Sequence, residues 1–143
     1  MNSTLQHPPV SKPMLWTGRI LSGLVILFLF LDGAIKVIPL PVVNETLIQL
    51  GYSGDVTSVA RGIGVLTIAI GVLYAFPRTA IFGAVLLTGL LGGAMATHLR
   101  VGSPVFTHFL FGLYVGLMAW GGLYLRSPQL RAVLFQHSTT QKI

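Results

Sequence analysis

The sequence predicts an all-α integral membrane protein, built as an up-down bundle of four transmembrane helices. Mean hydropathy is +0.81, far above that of a soluble domain. Only 8% of the 143 residues are Asp, Glu, Lys or Arg, too few to clothe a soluble core of this size. Four apolar segments, each near the ~20 residues that cross a bilayer as a helix, are separated by breaks marked with proline and glycine.

Residues 1–14, with "MNSTLQHPPVSKP", read as a mobile polar segment. A basic start before an apolar run also fits a cleaved signal peptide, but the run is long and no small-x-small site follows it. The transmembrane domain occupies 15–126. Its first span runs over about 15–38 and is closed by Pro39 and Pro41 of "VIPLPVV", which cannot continue a helix. The connection 40–56 holds "NETLIQLGYSGD", where Leu47, Ile48 and Leu50 lie beside Asn44, Glu45 and Gln49. It fits a short amphipathic helix on the membrane surface ending near Gly51, or an irregular loop. The second span covers 57–76, and "FPRTA" turns tightly into the third, 79–99. "VGSP" separates that from the fourth, 105–125, which "RSPQLR" closes. Residues 127–143 form a tail whose end, "QHSTTQKI", reads as disordered. Short connections favour antiparallel neighbours.

Charge sets an expected orientation. With four spans, Lys12, Arg19, Arg78, Arg126, Arg131 and Lys142 share one side with both termini and with no acid. Lys36, Arg61 and Arg100 share the other side with all three acids, Asp32, Glu45 and Asp55. The excess of basic residues places both termini in the cytoplasm. It also accounts for the net charge of +6 without nucleic acid, since no basic run with interleaved aromatics occurs.

The same topology gathers a polar cluster. Asp32 and Lys36 end the first span, Arg61 starts the second, Thr97, His98 and Arg100 end the third, and His108 starts the fourth. All lie at one membrane depth, on the side opposite the termini. Asp32 and Lys36 are spaced i, i+4 with the acid first, the favourable order for a pair. On the later spans the polar groups continue rows of small residues: Arg61 with Gly64 and Gly71, Thr97 and Arg100 with Gly89 and Gly93, His108 with Gly112 and Ala119. Small residues are where membrane helices approach closely, so these groups are expected to face the bundle. His98 lies on a different face and is expected to meet headgroups or a neighbouring helix.

A charge near a helix centre costs ~2.5–3.5 kcal/mol on insertion scales, so Asp32, the deepest, needs Lys36 or Arg61 beside it. Asp32, Lys36, Arg61, Thr97, Arg100 and His108 are therefore the candidate ligand-binding residues, with His108 and Asp32 the candidates for acid–base chemistry. Each has a blander reading: snorkelling anchors for Lys36 and Arg100, a structural ion pair for Arg61 with Asp32, an interfacial histidine for His108. The nearby cations oppose a divalent ion, so no metal is expected. The chain has no cysteine, which excludes disulfides, thiolate metal sites and a CxxC pair. No nucleophile triad, phosphate loop or dinucleotide fingerprint is present.

"DGAIKVIP", "ARGIG", "YAFPRTAIFGAVLLTGLLGGAMATHLRVGSPVFTH" and "WGGLYLRSP" together resemble the DoxX-like family of small four-helix bacterial membrane proteins, over roughly 16–134. The resemblance implies a multi-pass inner-membrane protein. The family takes its name from a subunit of a thiosulfate:quinone oxidoreductase. Relatives are labelled oxidoreductases, and some similar proteins act as assembly factors or partners of redox enzymes. This chain carries no built-in redox centre, so redox work needs a bound quinone or a protein partner. The expected function is a pocket on the side away from the cytoplasm that binds a quinone or similar lipophilic ligand, as an accessory subunit of a membrane redox system. Alternatives are a non-enzymatic assembly or scaffolding protein and a small enzyme doing acid–base chemistry on a lipid-soluble substrate. Partners are the bilayer, a membrane or redox protein, and a second copy of the chain.

Overall fold

The computed structural model describes residues 11–38 and 40–135. The expectations for the N-terminal segment before residue 11, for Pro39 and for the tail after 135 lie outside the described residues. Within them the chain forms α1 (Lys12–Val37), α2 (Pro41–Gln49), α3 (Val56–Ala75), α4 (Ala80–Arg100), a π-helical turn (Val105–Phe109), α5 (Phe111–Arg126) and α6 (Pro128–Phe135), with no strand. Four helical stretches, α1, α3, α4 and the π-turn with α5, are long and apolar enough to cross a membrane. Their bounds lie within about three residues of those the sequence predicts.

Of two segments outside the spans, one takes the first of its two expected forms and the other differs. The connection after the first span is helical, as α2. It opens on Pro41, whose missing N–H costs nothing in a first turn. The first part of the predicted tail is also helical. Ser127 is extended and breaks the chain after α5, yet its Oγ accepts from Leu130 N at 3.3 Å, capping α6, which begins on Pro128. The residues that end one helix start the next.

α1 packs against α3 and α5, and α4 closes the ring between α3 and α5. Large apolar side chains such as Trp16, Leu24, Leu31, Val65, Phe82 and Leu117 cover the outside, as lipid-facing positions require. Packing is uneven from end to end. At the end holding the α1 start, Tyr74 is wholly buried beside Val25, Ala80, Ala84, Leu123 and Leu130. Its hydroxyl donates to the Ala119 carbonyl at 2.7 Å and lies 3.2 Å from Ser22 Oγ, tying α3 to α5 and α1. Backbones nearly touch here: a Cβ on Gly83 would lie 2.5 Å from Tyr74 N, and one on Gly122 would lie 2.9 Å from Ser22 N. At the opposite end, Cβ atoms on Gly89, Gly92 and Gly93 would meet nothing within 4 Å. The row Gly89–Gly93, expected to mark close helix packing, instead borders open space. Towards this end α1 and α3 still pack backbone to backbone, a Cβ on Gly64 lying 2.7 Å from the Gly33 carbonyl oxygen, and the bundle is hollow on the α4 side.

Candidate functional site

The hollow end is a cavity of about 670 Å³, bounded by α1, α2, α3, α4, the π-turn and the start of α5. Two helices end at its rim in the same way. After α2, Gly51 N bonds the Ile48 carbonyl at 2.9 Å and Tyr52 N bonds the Leu47 carbonyl at 3.0 Å. After α4, Gly102 N bonds the Leu99 carbonyl at 3.2 Å and Ser103 N bonds the His98 carbonyl at 3.0 Å. Both are Schellman motifs, and both need a left-handed residue, supplied by Gly51 at φ 84° and Gly102 at φ 69°. α2 thereby folds over the cavity, contributing Val42, Val43, Thr46, Leu47 and Leu50 to its wall. Only Leu47 of these is fully buried, so α2 is a roof, not a core element.

The roof is held on two sides. Asn44 Nδ2 donates to Thr57 Oγ1 at 2.9 Å, joining α2 to the first turn of α3. Arg100 Nη2 donates to the Leu50 carbonyl at 2.8 Å, joining it to α4. Leu50 is the C-cap of α2, so this guanidinium fills a carbonyl that the Schellman bonds leave open and places positive charge at the negative end of the helix. A Cβ on Gly51 would press on the same guanidinium at 3.0 Å. At the start of α3, the Ser58 hydroxyl and amide donate to Asp55 and hold its carboxyl below the usual carboxylate range, with Arg61 adding a smaller electrostatic pull in the same direction.

The predicted site residues divide. Asp32, Lys36, Thr97 and His108 line the cavity, and Asp32 and Lys36 form an ion pair one helical turn apart. Arg61 does not line it and is exposed. The cavity face of α3 is Ile63 and Thr67, and two residues along a helix turn by ~200°, which carries Arg61 round to another side. Arg100 does not line it either, because its long side chain reaches the nearest open carbonyl, on α2. His98, expected to face away, does line it. The open surface of α4 takes in Leu91, Ala94, Met95 and His98 as well as the Gly89–Gly93–Thr97 row, although Met95 and Leu91 also press on Gly112 of α5.

His98 and His108 stand together, with ring centroids 5.5 Å apart. His98 Nδ1 bonds Ser103 Oγ at 3.0 Å, and His108 Nδ1 bonds Thr107 Oγ1 at 2.8 Å. These bonds fix the two Nδ1 atoms, leaving Nε2 on each ring for other partners. The π-turn alters the phase before α5: Gly112, Val115 and Ala119 are buried on one row, while His108 is exposed at the cavity rim.

Elsewhere the wall is largely apolar, from Phe28, Leu29, Ile63, Leu90, Leu91 and Phe111, with Phe28 and Phe111 packed edge to face at 5.4 Å. The cavity's threonines offer no donor. Thr46, Thr67 and Thr97 give their hydroxyl protons to Val42, Ile63 and Gly93 carbonyls of their own helices. Donors to a guest are therefore Lys36, Tyr52, His98 and His108. Sequence reasoning missed Tyr52 and the apolar contribution of α2. The signal was present in Gly51 and the apolar residues Leu47 and Leu50, but it did not say which way the segment folds. No group of three or more metal-ligating side chains occurs among the described residues.

Removing the Arg100 latch has a local expected result. Arg100→Ala loses one charge-assisted hydrogen bond at an exposed position, worth about 0.5–1 kcal/mol. Hydrogen–deuterium exchange in detergent should rise about two- to five-fold at the α2 amides, with α1 and α5 unchanged. Equal exchange in α2 would show that the roof does not depend on this bond.

Comparison with known proteins gives one finding. A family model described as the DoxX-like family matches residues 20–122. No curated protein and no solved structure matches.

Proposed function

The chain belongs to the DoxX-like family, and from that premise we propose that its cavity binds a quinone or similar lipophilic ligand, in an accessory subunit of an inner-membrane redox system. The observation that carries the reading is a cavity of about 670 Å³ whose apolar wall ends at Lys36, His98 and His108. Small-molecule sites have this make-up and fall in this size range. A ring with two carbonyl or hydroxyl oxygens fits such donors, and its apolar tail fits the side chains of α2, α3 and α4. A bound quinone supplies a carrier of two electrons and two protons. The protein's own part is recognition and proton handling. Lys36 keeps protons to donate to a ligand oxygen while Asp32 holds the ammonium in place. His98 and His108 offer Nε2 as a hydrogen-bonding partner for a ligand oxygen, since each Nδ1 is already engaged. The chain has no cysteine and so no thiol pair, and in this reading electrons come from a partner protein.

The test is extraction of lipophilic ligands from purified protein, wild type against Lys36→Ala and His108→Ala. The wild type should retain a defined species that both variants lose about ten-fold. Identical extracts holding only bulk lipid would refute a ligand site.

A second reading, a non-enzymatic assembly or scaffolding protein, is favoured by a separate observation. A shallower apolar groove of about 260 Å³ runs between α4 and α5 past Gly92, Leu91, Gly116 and Leu117 to Trp120. Such a surface suits a partner helix. Under this reading the polar groups fix helix register, and their loss lowers stability and partner retention without changing any ligand.

A further inference from the structure

We propose that the end of the bundle opposite the cavity binds the headgroup of an anionic phospholipid. Lys12 opens α1, Arg19 follows on the same helix, Arg78 lies in the turn between α3 and α4, Arg126 closes α5, and Arg131 lies on α6. Asp32, Glu45 and Asp55, the only acidic side chains in the chain, all belong to the cavity end. The cations at this end therefore have no carboxylate side chain to pair with.

Two of them are held in place by contacts that do not neutralise them. Arg126 donates from Nη2 to the Tyr74 carbonyl at 3.0 Å, and its guanidinium lies 5.2 Å from the Tyr74 ring centre. Its Nε is buried and meets no acceptor among the described residues. Arg131 directs Nη1 at the sulfur of Met14, 3.4 Å away, and a thioether is a weak acceptor. A phosphodiester is the anion that suits guanidinium groups best, accepting from them in parallel.

The occupant is a lipid, not free phosphate, because apolar surface lies beside the charges. Leu130 anchors α6 in the core, whereas Val133 and Leu134 are 71% and 59% exposed. Ser127 breaks the helix after α5, and α6 sets Leu130 into the core and Arg131 against Met14 of α1 while Val133 and Leu134 stay outside, the two-sided character of an interfacial helix. Trp16 is 61% exposed and carries the Arg19 guanidinium 5.7 Å from its ring, the aromatic–cation pairing of headgroup depth. Acyl chains would lie on Trp16, Val133 and Leu134 with the phosphate among Arg78, Arg126 and Arg131. This site is independent of the cavity and of what the cavity binds.

The experiment is thermal unfolding in a nonionic detergent, with phosphatidylglycerol or phosphatidylcholine of the same chains added, or glycerol phosphate alone. In wild-type protein phosphatidylglycerol should raise Tm about 5 °C more than phosphatidylcholine, and this excess should shrink in high salt. Arg78→Gln/Arg131→Gln should bring the phosphatidylglycerol increment down to that of phosphatidylcholine, each increment being read from the variant's own lipid-free baseline. Lys12→Gln/Arg78→Gln, with both changes at exposed positions, should reduce the excess by about half. Equal increments from the two lipids in wild type, or an excess untouched by both double variants, would overturn the proposal. So would an equal effect of glycerol phosphate.

Discussion

Gly83→Ala should lower the unfolding temperature in detergent by about 10 °C or leave no folded monomer, while Gly121→Ala should leave it unchanged or raise it slightly. Both substitutions put one methyl group on a glycine inside a transmembrane helix. At Gly83 that methyl would sit 2.5 Å from Tyr74 N and 2.7 Å from Tyr74 Cα. These are backbone atoms, so no rotamer change relieves the overlap. α4 must move away from α3, and Tyr74, Ala80, Ala84 and Leu87 move apart with it. Overpacking of this kind costs about 3 kcal/mol, near the upper end of its usual range, and that converts to roughly 10 °C for a chain of this length. At Gly121 nothing lies within 4 Å of the added carbon. The helix then gains up to about 1 kcal/mol of intrinsic propensity. Thermal unfolding followed by circular dichroism, with monodispersity checked by gel filtration, measures both. Equal unfolding temperatures for Gly83→Ala and wild type would show that the α3–α4 contact is looser than the structure has it.

The same contrast shows what a sequence can and cannot say about glycine in a membrane. Gly83, Gly89 and Gly93 all read as small residues on an apolar helix. Only Gly83 is pressed on a neighbour, while the other two face open space. Spacing identifies a face but not the distance to the next helix. The spans were legible because hydropathy and proline act locally. The depth of the polar groups was legible because it follows from topology alone. Which of them meet was not. Lys36 reaches Asp32 within one helix, as i, i+4 spacing dictates. Arg100 reaches a carbonyl fifty residues away that is open only because α2 ends there. His98 lines the cavity although its phase differs from that of Gly89, Gly93 and Thr97, because the cavity takes in more than one face of α4, a property of the whole bundle. The helix α6 was hidden by a serine–proline pair that ends α5 and caps the next helix.

The Asp32–Lys36 pair decides whether the polar groups hold a ligand or only hold the bundle, and a double-mutant cycle separates the two. Each side chain keeps about a quarter of its surface exposed, at 25% for Asp32 and 24% for Lys36, so the pair is neither a surface bridge nor a fully buried one. Lys36→Met leaves the Asp32 carboxylate facing an apolar wall without its cation. After discounting for that exposure the cost is about 1–2 kcal/mol, less than for a fully buried pair. Asp32→Asn with Lys36→Met removes both charges and should recover most of the lost stability, since no uncompensated charge remains. Ligand binding should behave differently. If Lys36 donates to a ligand oxygen, the double variant stays about ten-fold weaker for a soluble quinone analogue although its stability has returned, because the donor is still missing. If the pair serves only to fix α1 in the bundle, affinity is the same in wild type and the double variant, or absent in both. The two quantities, unfolding temperature and Kd, are read on the same preparations. A loss of stability in Lys36→Met cannot then be mistaken for loss of a binding group. Recovery of both in the double variant would exclude Lys36 as a ligand donor and leave His98 and His108 as the polar end of the cavity.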